Sequence, residues 1–166
     1  REMLPAVIDG SCRLAFAHED RGAATQALRT SAGYVLQGAK KVVLCGEMAD
    51  TLLLSARLGD GGMGVFVLHK GTRGLTLRPY RLVDGSRAAD VELADVTVPA
   101  SALFGGNEDA GDAITHVLDR AIAALSADAV GAIATMVKAT VDYAKTRVQF
   151  GQPIANFQAL QHRMAD

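Results

Sequence analysis

The residues best suited to chemistry stand in TRVQFGQPIANFQ, residues 146–158. Arg147, Gln149, Phe150, Phe157 and Gln158 surround a Gly-x-Pro break. A guanidinium with amide side chains and flat aromatic faces can hold a phosphate-bearing, ring-containing cofactor. The same stretch also reads as a plain helix end, with Arg147 favourable at the C-terminus, Gly151 as cap and Pro153 beyond. The helix end explains the glycine and the proline. It leaves the aromatics and amides unexplained, so both readings stand at this point.

Two other stretches invite chemistry. GDGGMG, residues 59–64, fits the dinucleotide pattern GxGxxG. That mechanism needs the glycines between a strand and a helix, whose N-terminus receives the pyrophosphate. Here VFVLHK follows, which reads as a strand, so a glycine-rich hairpin loop is expected instead. HEDRG, residues 18–22, sets His18 beside Glu19 and Asp20. Adjacent residues on a strand face opposite ways, and no GxSxG elbow supplies a nucleophile. Glu19 and Asp20 are therefore expected in a solvated loop.

Composition narrows the class. A net charge of −1 provides no basic surplus for nucleic acid or an anionic membrane. Cys12 and Cys45 form no CxxC and no Cys/His cluster at metal-ligand spacing, which suits a reduced, cytoplasmic protein. His18, His69, His116 and His162 are scattered and read as surface or structural residues, not metal ligands. Only 5% of residues are aromatic, so Ala, Val and Leu must fill the core. The apolar region Ala113 to Val141 carries Asp119, Arg120, Asp128 and Lys138, a density that argues against a membrane span.

The elements that would position these residues fall into three stretches. Residues 1–10 read as the tail of a helix ending at Gly10. Residues 11–106 carry short β-rich runs: SCRLAFA, GYVLQGAKKVVLCG, TLLLSARL, GVFVLHK, GLTLRPYRL and AADVELADVTVP. Their spacing predicts an antiparallel β-barrel or sandwich, with GYVLQGAKKVVL a hairpin turning near Gln37-Gly38 and Pro99 closing the last run. Residues 107–166 form the third stretch. Apolar residues from Ile114 to Ala144 recur every three or four positions, which predicts an amphipathic helix to about Lys145, roughly 50 Å long. A domain of a hundred residues is only about 26 Å across, so this helix needs further helices to cover its stripe. A second helix from about Ile154 to Asp166 and the start at Arg1 without methionine likewise read as parts of something larger.

YAKTRVQFGQPIANFQALQHRMAD resembles the Tyr-x(3)-Arg-x-x-Phe-Gly-x-Pro-Ile-x(2)-Phe-Gln segment of acyl-CoA dehydrogenases. GYVLQGAKKVVLCGEMADTLLLSAR resembles their middle-domain segment G-x-x-L-x-G-x-K-x-W-I-T-N-G-x-x-A-D, and RLAFAHEDRG falls where they carry a first middle-domain strand. KKVVLCG, VDGSRAADVEL and QHRMAD are similar in wording to the small-subunit group acting on pimeloyl-CoA. The resemblance implies an α+β fold: the end of an N-terminal helical domain, a middle β-barrel, and the first one and a half helices of a C-terminal four-helix bundle.

It also implies α,β-dehydrogenation of an acyl-CoA thioester with FAD as hydride acceptor. No residue matches the family's catalytic glutamate, so the base is expected outside this chain. Ala17 and His18 would lie against the flavin ring, where a hydroxyl commonly stands in place of His18. Val42 and Leu44 would fall where Trp and Thr pack on and bond to the flavin, leaving only backbone groups for that role. Arg147, Gln149, Phe150, Ile154, Phe157 and Gln158 match the segment that grips FAD from a neighbouring subunit, Arg147 toward the pyrophosphate and Gln158 toward the adenine. Asp119 would help place the CoA moiety, with Ile122 in place of a nearby arginine. The implied partners are an acyl-CoA, an electron-transfer flavoprotein or similar acceptor, and further subunits in a homo- or hetero-oligomeric dimer or tetramer. The lopsided loss at Val42, Leu44 and Cys45 keeps open a flavin-poor, non-catalytic subunit of a heteromeric enzyme; an acyl-CoA oxidase, which shares the fold, is a further alternative that no residue here separates.

Overall fold

The computed structural model describes residues 3–59, 61–106 and 109–165. The chain divides into two compact units, Arg1–Ile114 and Thr115–Asp166.

The first unit opens with a short helix α1 (Leu4–Ile8) that carries Pro5 in its first turn, where a missing N–H costs nothing. Gly10, at φ +79°, takes the chain out of it. Seven strands follow: β1 (Leu14–Ala17), β2 (Gln26–Thr30), β3 (Gly33–Leu44), β4 (Thr51–Leu58), β5 (Met63–His69), β6 (Leu75–Arg81) and β7 (Arg87–Pro99). They form one curved sheet in the order β1-β4-β2-β3-β7-β6, with β5 on β4. The antiparallel expectation holds for the long ladders β2/β3, β3/β7, β4/β5 and β6/β7. It fails at β4, which runs parallel to both β1 and β2. Pro79 is accommodated because β6 lies at the end of the strand order, where one side of the backbone needs no ladder partner.

The expected hairpin in GYVLQGAKKVVL is absent. β3 is one strand of twelve residues, and Gln37-Gly38 is an irregularity in its pairing with β7, not a reversal. Gly38 has φ +138°, and a Cβ there would lie 2.8 Å from the Thr25 Cα. Glycine marks a bulge and a close backbone approach here. The reversal occurs earlier, at Ser31-Ala32, where Thr30 pairs with Gly33. GDGGMG joins the antiparallel strands β4 and β5, as a hairpin loop should; Asp60 lies outside the described residues.

The core is built from small and branched apolar residues, as the composition required. Leu36, Leu52, Leu54, Leu68, Val43, Val91 and Val96 are almost fully buried. Two aromatics complete it, with Tyr34 meeting Phe66 edge-on at 5.1 Å. Burying each large aliphatic or aromatic side chain contributes about 1.5–3 kcal/mol relative to exposure.

The long helix α2 (Gly111–Thr146) has 36 residues, or about 54 Å at helical rise. Val117, Ile122, Leu125, Val130, Ile133, Met136 and Val137 are all more than half exposed along it. The charge-density argument against a membrane span is weaker than expected. Asp119, Arg120 and Lys138 stand toward the ends of the apolar run and Asp128 at its centre, and one window still reaches a mean hydropathy of 1.5. By length and composition α2 could cross a bilayer. After α2 come two paired dipeptides, β8 (Val148–Gln149) and β9 (Gln152–Pro153), then a single 3-10 turn at Ile154–Asn156 and helix α3 (Gln158–Ala165). The second helix thus starts four residues later than expected, because Phe157 is extended (φ −83°, ψ 120°).

Candidate functional site

Within the first unit, the structure brings Ala17 and His18 beside the end of β3. Residues 19–21 lie along residues 39–41: Asp20 bridges Lys40, Arg21 N–H donates to Ala39 O at 2.8 Å, and Lys41 N–H donates to Glu19 O at 2.9 Å. The Ala17 side chain is wholly buried, so only its backbone can face a ligand. His18 is half-buried and its ring stacks on Phe16 at 5.4 Å. Val42 and Leu44 are 44% and 58% exposed, an unusual state for large aliphatics in a strand.

The backbone at this end of β3 is under constraint. Val42 and Cys45 take φ +52° and +58°. A β-branched residue in the left-handed region is a true outlier. Val42 N–H is captured by the Tyr80 hydroxyl at 3.1 Å and by Asp90 Oδ1 at 3.3 Å. Tyr80 in turn donates to Asp90 at 2.9 Å. Burial, and then that bond, push the phenol pKa up. The backbone donor that the resemblance left available at Val42 is therefore already engaged.

Below this edge lies a polar network that sequence reasoning missed. Lys40 is 1% exposed. Its ammonium donates to His18 O at 2.8 Å, Asp20 Oδ1 at 2.7 Å and Ser55 Oγ at 3.3 Å, which uses all three protons. Asp20 also accepts from Thr25 N–H at 3.0 Å and Thr25 Oγ at 2.7 Å. The expectation of a solvated Asp20 is thus overturned, because a buried ammonium requires a counter-charge. Glu19 is exposed, as expected. Burial lowers the Lys40 pKa, and the bond and charge of Asp20, with the charge of Glu19, offset only part of that. Burial alone would raise Asp20; the bonds from Lys40 and Thr25 outweigh it and leave the carboxyl below its ordinary range. One signal was legible: Lys40 is in phase with the inward-facing Tyr34 and Leu36.

His69 is held in the same manner as His18, its Nδ1 lying 3.0 Å from Thr51 Oγ, which agrees with a structural role. His116 and His162 are exposed.

The second unit carries the other predicted residues. Arg147 N–H closes the helix on Tyr143 O at 2.8 Å, and Ile154 N–H donates to Arg147 O at 2.9 Å. Between them β8 and β9 form a minimal hairpin whose two turn residues, Phe150 and Gly151, have φ +53° and +79°. Positive φ at both positions is the signature of a type I′ hairpin turn. Gly151 is therefore a turn residue and not the helix cap. Phe150 is 93% exposed, and its ring meets Phe157 edge-on at 6.2 Å. The Arg147 guanidinium is exposed and has no ion-pair or hydrogen-bond partner among the described residues. Ile154 and Phe157 are half-buried, while Gln149 and Gln158 are exposed. Gln149 Nε2 donates to Val148 O at 2.7 Å. Asp119 is exposed on α2, three residues before the exposed Ile122. Among the described residues no group of His, Cys, Asp and Glu could hold a metal.

Residues 111–166 match the C-terminal domain model of acyl-CoA dehydrogenases. A probable acyl-CoA dehydrogenase of Bacillus subtilis is 35% identical over 153 residues, covering 87% of this chain and 40% of that protein. Acryloyl-CoA reductase (NADH) of Anaerotignum propionicum is 32% identical over 140 residues, covering 80% and 36%. The crystal structure of a glutaryl-CoA dehydrogenase from Mycobacterium smegmatis in complex with FADH2 superposes with a TM-score of 0.87 at 26% identity, covering 99% of this chain and 45% of that one. The chain spans less than half the length of the relatives it matches.

Proposed function

The chain belongs to the acyl-CoA dehydrogenase family, and from that premise we propose that it forms part of a flavoenzyme that dehydrogenates an acyl-CoA thioester between its α and β carbons. When bound, FAD supplies the hydride acceptor of that reaction. The residues present fit such a group in two separate places.

The observation that carries this reading is the hairpin at Phe150. It holds a left-handed phenylalanine with 93% of its surface in solvent, close to an arginine that has no partner among the described residues. Within its own unit this strained aromatic gains only the edge contact with Phe157 among the described ring contacts. With a phosphate-bearing, ring-containing group on it, the ring is covered and the guanidinium is paired. Arg147 would bind the pyrophosphate, Phe150 and Phe157 would offer flat faces, and Gln149 and Gln158 would present amides. His18, Val42 and Leu44 would form the wall on which the isoalloxazine packs. Asp119 would orient the CoA moiety. The reduced cofactor would pass its electrons to an electron-transfer flavoprotein or a similar acceptor. In this reading the apolar stripe of α2 packs against other helices of a bundle and against further subunits, not against lipid.

A second reading has its own observation. Val42 N–H is already bonded to Tyr80 and Asp90, and Val42 and Leu44 carry no polar side-chain group. This favours a partner subunit that lends its hairpin to another chain's flavin while binding none itself.

Purifying the protein alone and with co-expressed subunits, then counting FAD per chain, separates the two. One flavin per chain in the protein alone, bleached anaerobically by an acyl-CoA, supports the first reading. Flavin only in the mixed complex supports the second. No flavin in either preparation overturns both. Measuring whether oxygen or a flavoprotein acceptor reoxidises the bleached flavin distinguishes oxidase from dehydrogenase.

A further inference from the structure

Ser55 Oγ sits between two nitrogens, 3.3 Å from Lys40 Nζ and 2.9 Å from His18 Nδ1. Ser55 is 1% exposed, so its hydroxyl is shut off from bulk solvent. An ammonium can only donate, so Lys40 occupies a Ser55 lone pair. A buried hydroxyl proton left without an acceptor costs free energy, so the Ser55 proton is expected to go to an acceptor. Among the described contacts of Ser55 Oγ, His18 Nδ1 is the one atom able to accept it. An accepting Nδ1 in a neutral imidazole places the ring proton on Nε2.

Nε2 itself has no bond among the described residues, and since no buried side-chain nitrogen or oxygen among them lacks a partner, it reaches solvent. Two further contacts hold the ring in place. Phe16 stacks on it at 5.4 Å, and Lys40 binds the His18 carbonyl at 2.8 Å. The backbone and the ring of His18 are thus tied to one buried ammonium, the first directly and the second through Ser55.

We propose that His18 is a cofactor-contact residue that presents a fixed Nε2–H donor to the flavin, with Ser55 and Lys40 as positioning residues that set its tautomer. The proposal rests on the flavin reading above. It assigns to an imidazole N–H the donor role that the resemblance places on a hydroxyl at this position. It also explains why a lysine is buried under this edge: the ammonium forces Ser55 to donate outward.

Nitrogen-15 magic-angle-spinning NMR of the purified, [15N]histidine-labelled protein reads the tautomer without reference to activity, the His18 signals being those lost in His18→Phe. The wild type and Ser55→Thr are expected to show a protonated Nε2 and a bare Nδ1. Ser55→Ala, in which Lys40 keeps two of its three partners, is expected to show a mixture of tautomers. In reconstitution of the apoprotein, His18→Phe should bind FAD about tenfold more weakly, the worth of one hydrogen bond. A protonated Nδ1 in the wild type overturns the proposal, as does FAD binding by His18→Phe equal to the wild type. A protonated Nε2 in a protein that takes up no FAD upholds the Lys40–Ser55–His18 relay and overturns the flavin reading beneath it.

Discussion

Lys40 Nζ lies 2.7 Å from Asp20 Oδ1, and the lysine side chain is 2% exposed while the aspartate is 31% exposed. The pair ties the segment that follows β1 to β3. Removing one member of a buried pair leaves the other charge without compensation. Asp20→Asn is expected to destabilise the fold by about 3 kcal/mol in chemical denaturation. A loss under about 0.5 kcal/mol, the range of ordinary surface substitutions, would show that the pair is not coupled as the geometry implies.

The same pair predicts an acid limb. The folded pKa of Asp20 is lowered, so its contribution is fully present above the unfolded carboxylate value, about 3.9, and is lost as pH falls through the folded value. The folded pKa of Lys40 is also lowered, so holding its charged form inside the fold carries a penalty. That penalty is relieved only as pH rises through the folded value toward about 10.4. Melting temperature should therefore fall as pH drops below about 4 in the wild type and fall less in Asp20→Asn.

Gly38 offers a test of the bulge. Its φ of +138° and the 2.8 Å approach of a would-be Cβ to the Thr25 backbone leave no rotamer that relieves the clash. Gly38→Ala should cost about 2 kcal/mol, more than the entropic gain such a change can bring. A turn at Gln37-Gly38 open to solvent would predict a much smaller loss.

Val42 carries strain that can be released. In the left-handed region a β-branched residue costs about 1–2 kcal/mol, and the side chain is 44% exposed. Val42→Gly should leave stability unchanged or raise it by up to about 1 kcal/mol, whereas most strand glycines destabilise. Calorimetry of the two proteins decides this.

At Phe150 stability and function should separate. Asn-Gly is the preferred pair for a type I′ turn, so Phe150→Asn should stabilise the hairpin by about 0.5 kcal/mol. The same change should lower flavin retention on gel filtration. If retention is unaffected, the ring is not a cofactor platform.

Much of the strand pattern was legible because alternation is a local property. TLLLSARL became β4 and the end of AADVELADVTVP fell at Pro99, as read. β2 was missed because Ala27 is its one buried residue, so QALRT has no apolar rhythm. Its place is set by Leu28 and its neighbours pairing with β3. The helix of α2 was legible from its apolar period. What covers that period was not, because a stripe records that a partner exists without recording which one.

The site divides along the same line. The sequence alone determined which residue types cluster at Arg147–Gln158, since a guanidinium, two aromatics and a Gly-x-Pro break lie within one short stretch. It also placed glycines at positions 38 and 151, where the chain was expected to turn. Only the tertiary structure decided what those glycines do: one opens a bulge against Thr25, the other completes a hairpin turn. Only the tertiary structure showed that Lys40, and not Lys41, goes inside to meet Asp20, Ser55 and His18. A buried ammonium is tolerated only where three acceptors converge, and those acceptors come from β4 and the segment after β1, which the chain brings together only when the sheet curls.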